Sequence, residues 1–310
     1  MSRLLITGGM GAIGKNLAAA AINKGFDVVV LDDFSSAGGG TLDKKVQVHK
    51  GSVEDHVLVE KLLKDSVEYV IHLAALFANQ NSVDNPRADL STNGLGSLNV
   101  AQISAQVGIK RVVYASSSCV YGNSNAAMSE NSEVGGFDTP YALTKYLGEK
   151  YFELYGHLND LNYSIVRIFN SYGPYEFPGK YRNVIPNFLN LAMNHKPLPI
   201  LGTGSETRDF TYVTDIAEGI LLALITPEAK GEIFNLGNGK ETSVIELANA
   251  VNEITGNPAG VEFYERRNWD HVTKRLSSID KARSILKYSP IVPFETGLAN
   301  TYEWLKEEVG

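Results

Sequence analysis

The chain has 310 residues, 44% of them hydrophobic and 20% charged, with a formal net charge of −7. This is the composition of an ordinary globule, long enough for one large α/β domain or a nucleotide domain with a smaller appendage. The acidic balance argues against a broad basic surface for nucleic acid, while leaving room for an anionic ligand held by local arginines or a helix N-terminus.

The opening MSRLLITGG has no apolar h-region or cleavage site. It passes from one arginine into a predicted strand, Arg3–Thr7, and the run Gly8-x-x-Gly11-x-x-Gly14 opens a predicted helix over Ile13–Lys24. A strand over Asp27–Leu31 ends at Asp32-Asp33, and Gly38–Gly40 reads as a flexible turn. Strands at Val46–Lys50, Tyr69–Leu73, Arg111–Ser116 and Tyr163–Ile168 then alternate with helices at Val57–Lys64, Gly96–Val107 and Tyr141–Leu158. Alternation of this kind is the signature of a parallel sheet covered on both faces. Ile216–Leu224 and Glu232–Leu236 read as a helix and a strand that return to that sheet. Helices near Val244–Thr255, Asp280–Leu286 and Phe294–Glu308 belong to a smaller lobe. The expected fold is therefore α/β, a Rossmann doubly wound parallel sheet with a smaller C-terminal α/β lobe. Residues 1–168 plus 209–236 make the first unit and 169–208 plus 237–310 the second. Cys119 is the only cysteine, which excludes an internal disulfide framework, and six scattered histidines form no zinc pattern. No run approaches a membrane span. A metal-free cytoplasmic protein with no membrane or nucleic-acid partner is expected.

The glycine run allows a tight turn, close approach of backbone to a pyrophosphate and close helix-on-strand packing. The helix behind it offers unpaired N–H groups and partial positive charge to phosphate. Asp32, at the end of the second strand, is placed to accept from the adenosine ribose hydroxyls. A carboxylate there repels a 2′-phosphate and no arginine follows nearby, so NAD is expected over NADP. Asp33 is either a second ribose acceptor or a solvated turn residue.

Ser117 follows an apolar strand and so falls at the C-terminal edge of the sheet, where ligands bind in open α/β folds. Tyr141 and Lys145 stand four apart on a helix introduced by Pro140 and share one face. Tyrosine, with an ordinary pKa of about 10, becomes a useful base near neutrality only if its phenolate gains about 4 kcal/mol. A lysine ammonium and a positive nicotinamide ring supply that kind of stabilisation. Together these fragments predict hydride and proton chemistry at an alcohol carbon.

These residues carry a resemblance. The chain resembles an extended short-chain dehydrogenase/reductase, specifically a nucleotide-sugar epimerase/dehydratase, over nearly its whole length. Further segments that carry it are Val70–Ala75, SSSCVYG at Ser116–Gly122, Arg167–Pro174 and GTGSETRDFTYVTD at Gly202–Asp215. The resemblance implies a nucleotide-diphosphate sugar as substrate, a UDP-sugar first, bound by the smaller lobe. It implies cofactor contacts from Gly8, Gly11, Ala12, Ile13, Gly14, Asp32, Asp33, Asp55, Leu73, Ala74, Ala75, Tyr141 and Lys145, with Asn93 supporting Lys145. Substrate contacts are implied for Ser82, Ser117, Tyr141, Asn170, Asn183, Val184, Arg208 and Arg267. Where relatives read Arg-x-Gly-Asp, here Arg267 to Asp270, this chain has Trp269 in place of the glycine, and Ser52 replaces the aspartate of the usual Gly-Asp pair.

The family begins by withdrawing the sugar 4-hydroxyl proton and the C4 hydride. Relatives that dehydrate or decarboxylate generally carry an acid just after the serine, whereas this chain has Ser118 and Cys119. The expected reaction is 4-epimerisation of a UDP-hexose such as UDP-glucose or UDP-galactose, and Ala75–Pro86 also fits the 4-epimerase spacing. Cys119 stands where some relatives that epimerise C3 and C5 carry a catalytic cysteine, so dehydration or C3/C5 chemistry is the alternative, although their basic partner is replaced by Asn183. The inert reading of Cys119 is a small apolar residue in a tight turn. A non-enzymatic redox regulator binding NAD(H) would need the Ser117–Tyr141–Lys145 set to be broken. Lys274 is read as a solvated lysine, with recognition of a sugar carboxylate as the sharper reading. A homodimer through Gly96–Val107 and Tyr141–Leu158 is the expected assembly.

Overall fold

The computed structural model describes residues 1–36 and 39–309; Gly38 of the anticipated Gly38–Gly40 turn lies outside them. The chain begins with β1 (Arg3–Thr7), α1 (Ala12–Asn23), β2 (Asp27–Asp32), β3 (Gln47–Lys50), α2 (His56–Lys64) and β4 (Tyr69–His72). Short helices α3 (Asn79–Asp84) and α4 (Pro86–Asp89) and a π-turn at Leu90–Leu95 lead into α5 (Gly96–Val107) and β5 (Arg111–Ser117). A 3-10 turn at Ser118–Tyr121, α6 (Pro140–Asn159) and β6 (Tyr163–Ile168) follow. Next come β7 (Ser171–Tyr172), α7 (Val184–Met193), β8 (Leu198–Leu201), β9 (Thr207–Arg208), β10 (Thr211–Tyr212) and α8 (Val213–Ile225). The chain ends with β11 (Glu232–Leu236), β12 (Thr242–Ser243), α9 (Val244–Thr255), β13 (Val261–Tyr264), β14 (Lys274–Arg275) and α10 (Phe294–Val309).

Seven strands pair in parallel in the order β11-β6-β5-β4-β1-β2-β3. Val28, Val29, Val30 and Leu31 are all 2% exposed or less, so neither face of β2 meets water. Period-two burial would expose alternate residues; a continuous β-branched run marks a strand covered on both sides. On one face α1 and α8 supply Leu17, Ala18, Ile216, Ile220 and Leu224. On the other, α2, α5 and α6 supply Val59, Leu63, Val100, Ile103 and Phe152. A third core gathers Phe188 and Leu189 of α7, Ile200 of β8, Phe210, Tyr212 of β10, Leu247 and Val251 of α9, and Leu298 of α10. Among the described residues no helix is long and apolar enough to cross a membrane.

One buried ion pair locks the helix that carries the reactive side chains. Arg167 of β6 donates from Nε (2.9 Å) and Nη2 (2.7 Å) to the two carboxylate oxygens of Glu149 on α6. Ser116 of β5 donates to the same carboxylate at 2.5 Å. Removing one partner from such a buried pair costs about 3–5 kcal/mol.

Predicted and observed strands agree to within a residue at the ends in the sheet. The differences lie outside it. The sequence reading missed α7, whose apolar residues look like a loop between a lone Gly179 and Asn194, and the parallel pair of β8 with β13. The helix anticipated over Asp280–Leu286 is a π-turn, Ala282–Leu286, stopped by Lys287 at φ 60°.

Candidate active site

The strand order reverses at β1, whose neighbours are β2 and β4. Crossovers leave in opposite directions there and open a crevice beyond the strands' C-terminal ends. A cavity of about 740 Å³ occupies it.

At one end lies the glycine turn. Gly8 has φ +72°, and a Cβ there would stand 2.7 Å from the backbone nitrogen of Ala74 after β4. At Gly14 a Cβ would collide with the Gly8 carbonyl at 2.4 Å, so both glycines are required by packing. Gly11 differs: its Cβ would meet only the Gly8 oxygen, at 3.4 Å, and the residue lines the cavity as the uncapped N-terminal residue of α1. Asp32 closes the loop, accepting from Met10 N and Phe34 N at 2.8 Å each. Burial raises the Asp32 carboxyl above its ordinary value, and those two amides offset this only in part. Asp33 accepts from the amide and hydroxyl of Ser35 and is exposed. Ala12, Ile13, Leu73, Ala74 and Ala75 complete the wall.

The reactive groups sit where β5 and α6 meet. Ser117 is the last residue of β5, and Thr139 caps α6 with Pro140 in its first turn, which sets Tyr141 and Lys145 one turn apart. All three line the cavity. Burial raises the Tyr141 hydroxyl far above the tyrosine range; the Cys119 sulfur adds to this and the Ser117 hydroxyl opposes it. Burial lowers Lys145 to about 7, and Asp89 and Glu149 oppose it. The Lys145 ammonium sits 4.5 Å from the centroid of Tyr114. Phe77 packs edge-on against Tyr141 with centroids 6.1 Å apart, which excludes water from one side.

Beyond them the wall turns cationic. Arg208 spends Nη1 and Nη2 on the carbonyls of Thr207 (2.9 Å) and Val272 (3.2 Å), and burial, then the neighbouring Arg275, lowers it to about 10. The Arg267 guanidinium lies over the Trp269 ring at 5.6 Å, and Trp269 Nε1 donates to Gln80 at 3.1 Å, tying this loop to α3. Asn170, after β6, lines the cavity and has a buried Nδ2 with no partner. An orphaned donor beside two arginines matches a diphosphate.

Comparison with known proteins decides the family. The pattern of the NAD dependent epimerase/dehydratase family matches residues 4–237. This chain belongs to that family. A solved structure described as an epimerase from Methanothermobacter thermautotrophicus is 47% identical, covers 99% of this chain and 93% of that one, and superposes with a TM-score of 0.96. The UDP-glucose 4-epimerase of Thermotoga maritima, solved with UDP-glucose, is 31% identical over 99% of this chain and 100% of that one, with a TM-score of 0.95. The UDP-glucose 4-epimerase of Mycolicibacterium smegmatis is 33% identical over 312 residues, 99% of each chain.

The cofactor of this epimerase/dehydratase family is NAD, and the residues present fit it. Gly11 leaves open the space a Cβ would fill, α1 presents its N-terminal amides there, and Asp32 keeps lone pairs free after binding two amides. Among the described residues no cluster of His, Cys, Asp and Glu is arranged to hold a metal.

The structure does not bring every anticipated residue to the cavity. Asp55 caps α2, accepting from Leu58 N, and is exposed away from the cavity wall. Ser82 is fully buried and donates back to the Asn79 carbonyl at 2.7 Å, one turn earlier in its own helix. Asn93 is buried behind α6, donating to Asp89 (2.7 Å) and accepting from Leu76 N (2.7 Å); no hydrogen bond joins it to Lys145. It joins Asp89 and Thr144 in one buried network, the Thr144 hydroxyl also donating to Asp89. Lys274 pairs with Glu241 at 3.0 Å and does not line the cavity. Asn183 and Val184 do line it, at the start of α7. Of the aromatics between Tyr172 and Tyr181, Tyr172 belongs to the third core, Phe177 packs on Trp304 and Tyr181 reaches the cavity. Sequence reasoning missed Asn79, Glu176, Arg182, Arg266 and Arg275, all lining residues. Strand parity held the signal for Arg275, because adjacent residues of β14 face opposite ways.

Proposed function

We propose that this chain is a UDP-sugar 4-epimerase of the hexose series, whose neutral members are UDP-glucose and UDP-galactose. One observation carries the reading: Ser117, Tyr141 and Lys145 converge on one cavity, and no carboxylate follows Ser117 to act on a second carbon. NAD, when bound, would supply the acceptor for the C4 hydride and the source of its return. Ser117 and Tyr141 hold the 4-hydroxyl, and Tyr141 takes its proton. Lys145 keeps positive charge beside the developing phenolate. Rotation of the 4-keto sugar then presents the opposite face, and Tyr141 gives the proton back as the hydride returns. Arg208, Arg267 and Asn170 hold the diphosphate meanwhile, and tight anchoring at that end is what allows the sugar to turn without leaving.

A second reading has Cys119 performing acid/base work at C3 or C5. It draws on the thiol's surroundings: burial pushes it up, but Arg275, Ser117 and Asn79 together bring it below its ordinary value. Incubation with UDP-hexoses in heavy water, followed by NMR, separates the two. A C4 epimer free of deuterium supports the 4-epimerase. Deuterium at C3 or C5, or loss of water, overturns it in favour of Cys119.

The set of three reactive residues is intact, which disfavours a non-catalytic NAD(H) regulator. We also propose a homodimer through α5 and α6, since Leu143, Leu154 and Leu158 on α6 stand 44–67% exposed. A monomer by light scattering at micromolar concentration would overturn it.

A further inference from the structure

We propose that Arg275 receives a carboxylate carried by the sugar, so that the preferred substrate is a UDP-hexuronate rather than a neutral UDP-hexose. The inference rests on the 4-epimerase reading and narrows its substrate.

Three arginines of the described chain are buried, and two have evident partners. Arg167 sits on the Glu149 carboxylate, and Arg111 donates into the carbonyls of Ala223, Thr226 and Pro227 and the Asn162 side chain. Arg275 is the exception. It is 7% exposed, yet among the described residues no carboxylate lies within ion-pair distance. Nη1 donates to Cys119 Sγ at 3.0 Å, Nη2 makes a long 3.4 Å contact with the Gly122 carbonyl, and Nε is buried with no partner. A buried guanidinium without an anion is strongly unfavourable. Here the charge faces a ligand cavity.

Its place in the cavity says where the missing anion belongs. Cys119 is two residues past Ser117, whose hydroxyl accepts from Cys119 N at 3.2 Å, so Arg275 stands at the reacting end. Arg208, its register partner in the adjacent strand, belongs to the diphosphate wall. Close to Arg275 the cavity wall also presents side-chain donors. Asn79 directs its NH₂ towards Cys119 Sγ at 3.6 Å, because its carbonyl oxygen is occupied by the Thr139 hydroxyl at 2.9 Å. Ser117 and Ser118 contribute hydroxyls and no acid. A primary alcohol on a neutral hexose would leave this charge uncompensated. A planar carboxylate meets the guanidinium fork with two oxygens.

The test uses the NAD-bound Tyr141→Phe enzyme, which separates binding from turnover. Calorimetry measures the affinities of UDP-glucuronate, UDP-glucose and UDP, with and without Arg275→Gln or Arg275→Lys. We expect UDP-glucuronate to bind about 30-fold or more tightly than UDP-glucose, in line with a desolvated charge pair. Arg275→Gln should bring that ratio to within about threefold, and Arg275→Lys, a point charge without the fork, to an intermediate value. Equal affinities before substitution would overturn the proposal. So would a ratio that survives Arg275→Gln, or UDP affinity that falls by the same factor as that for UDP-glucuronate. Turnover of both sugars by the unaltered enzyme keeps the two readings apart. A uronate preference in binding with no 4-epimer formed from either sugar would sink the 4-epimerase and leave the carboxylate site standing. Epimerisation of UDP-glucose without a binding preference would do the reverse.

Discussion

On the side of the cavity built by the seven-stranded sheet the functional groups hang from the ends of long elements, whereas on the side of the smaller lobe they hang from two-residue strands and the loops between them. The glycine turn, Ser117 and Tyr141 are fixed by β1, β5 and α6, and α6 is itself bolted down by the Glu149–Arg167 pair. Arg208 and Arg275 come from β9 and β14, strands of two residues each, and Arg182 and Arg267 come from loops. The difference matches two demands. Hydride and proton transfer tolerate little displacement of the reacting atoms. Recognition of one sugar over another is a matter of which cations and donors the looser wall presents, and it changes without disturbing the sheet.

Tyr141→Phe tests the rigid end and should have the largest effect. The phenyl ring keeps the contact with Phe77 and removes only the hydroxyl. Turnover should fall about 10³-fold, the usual range for removing a positioned acid/base, while the melting temperature and NAD affinity stay near those of the parent. A fall of less than tenfold, measured by coupled assay of the product epimer, would mean that another group takes the proton. Ser117 or Cys119 would then be the next to replace.

Glu176→Gln tests the looser wall through pH. Burial raises Glu176 to about 7, with Asn183 and Arg182 opposing it. The folded value lies above the unfolded one, so the folded state binds the extra proton and this group's stabilising term is present below 4.5. That term is lost as pH rises through about 7. The glutamine variant mimics the protonated side chain. It should therefore match the parent at pH 4.5 and exceed it by up to about 3 kcal/mol at pH 8, from the size of the shift. Denaturant melts of the ligand-free protein at the two pH values provide the measurement. A gain that is the same at both would remove the carboxylate from this account.

The same contrast explains what could be read in the sequence. Gly8, Gly11 and Gly14, Asp32, Ser117 and the Tyr141–Lys145 pair each lie within one turn or one helix, so their spacing along the chain is their spacing in the site. The sheet was legible for a similar reason, since runs such as Val28-Val29-Val30 report burial on both faces. The sugar wall was legible only in part: resemblance pointed to Arg208, whereas Asn79, Glu176, Arg182 and Arg275 carry no motif spacing that links them to the reactive set. Resemblance alone placed Asp55 and Ser82 in the site, but capping of α2 claims the first and a bond within α3 claims the second. Lys274, read as a solvated lysine, stays outside the cavity, and the cation that enters it is the next residue: β14 turns Lys274 to Glu241 and Arg275 to the cavity.

Asp32 and Asp33 give the finest division within the rigid end. Both are adjacent carboxylates lining the cavity; the sequence put Asp32 first as ribose acceptor and left Asp33 as a second acceptor or a solvated turn residue. Asp32 is 9% exposed and holds the glycine turn through Met10 N and the following turn through Phe34 N. Asp32→Ala strands both amides and removes the acceptor, so NAD affinity should fall at least about tenfold and stability by about 1–3 kcal/mol. Asp33 binds only Ser35 within an exposed turn, and Asp33→Ala should change NAD affinity by less than about threefold. Fluorescence titration with NAD and thermal melts of the two variants separate the roles. If Asp33→Ala costs more affinity while Asp32→Ala costs only stability, the ribose acceptor is Asp33, and Asp32 serves to hold the loop in shape.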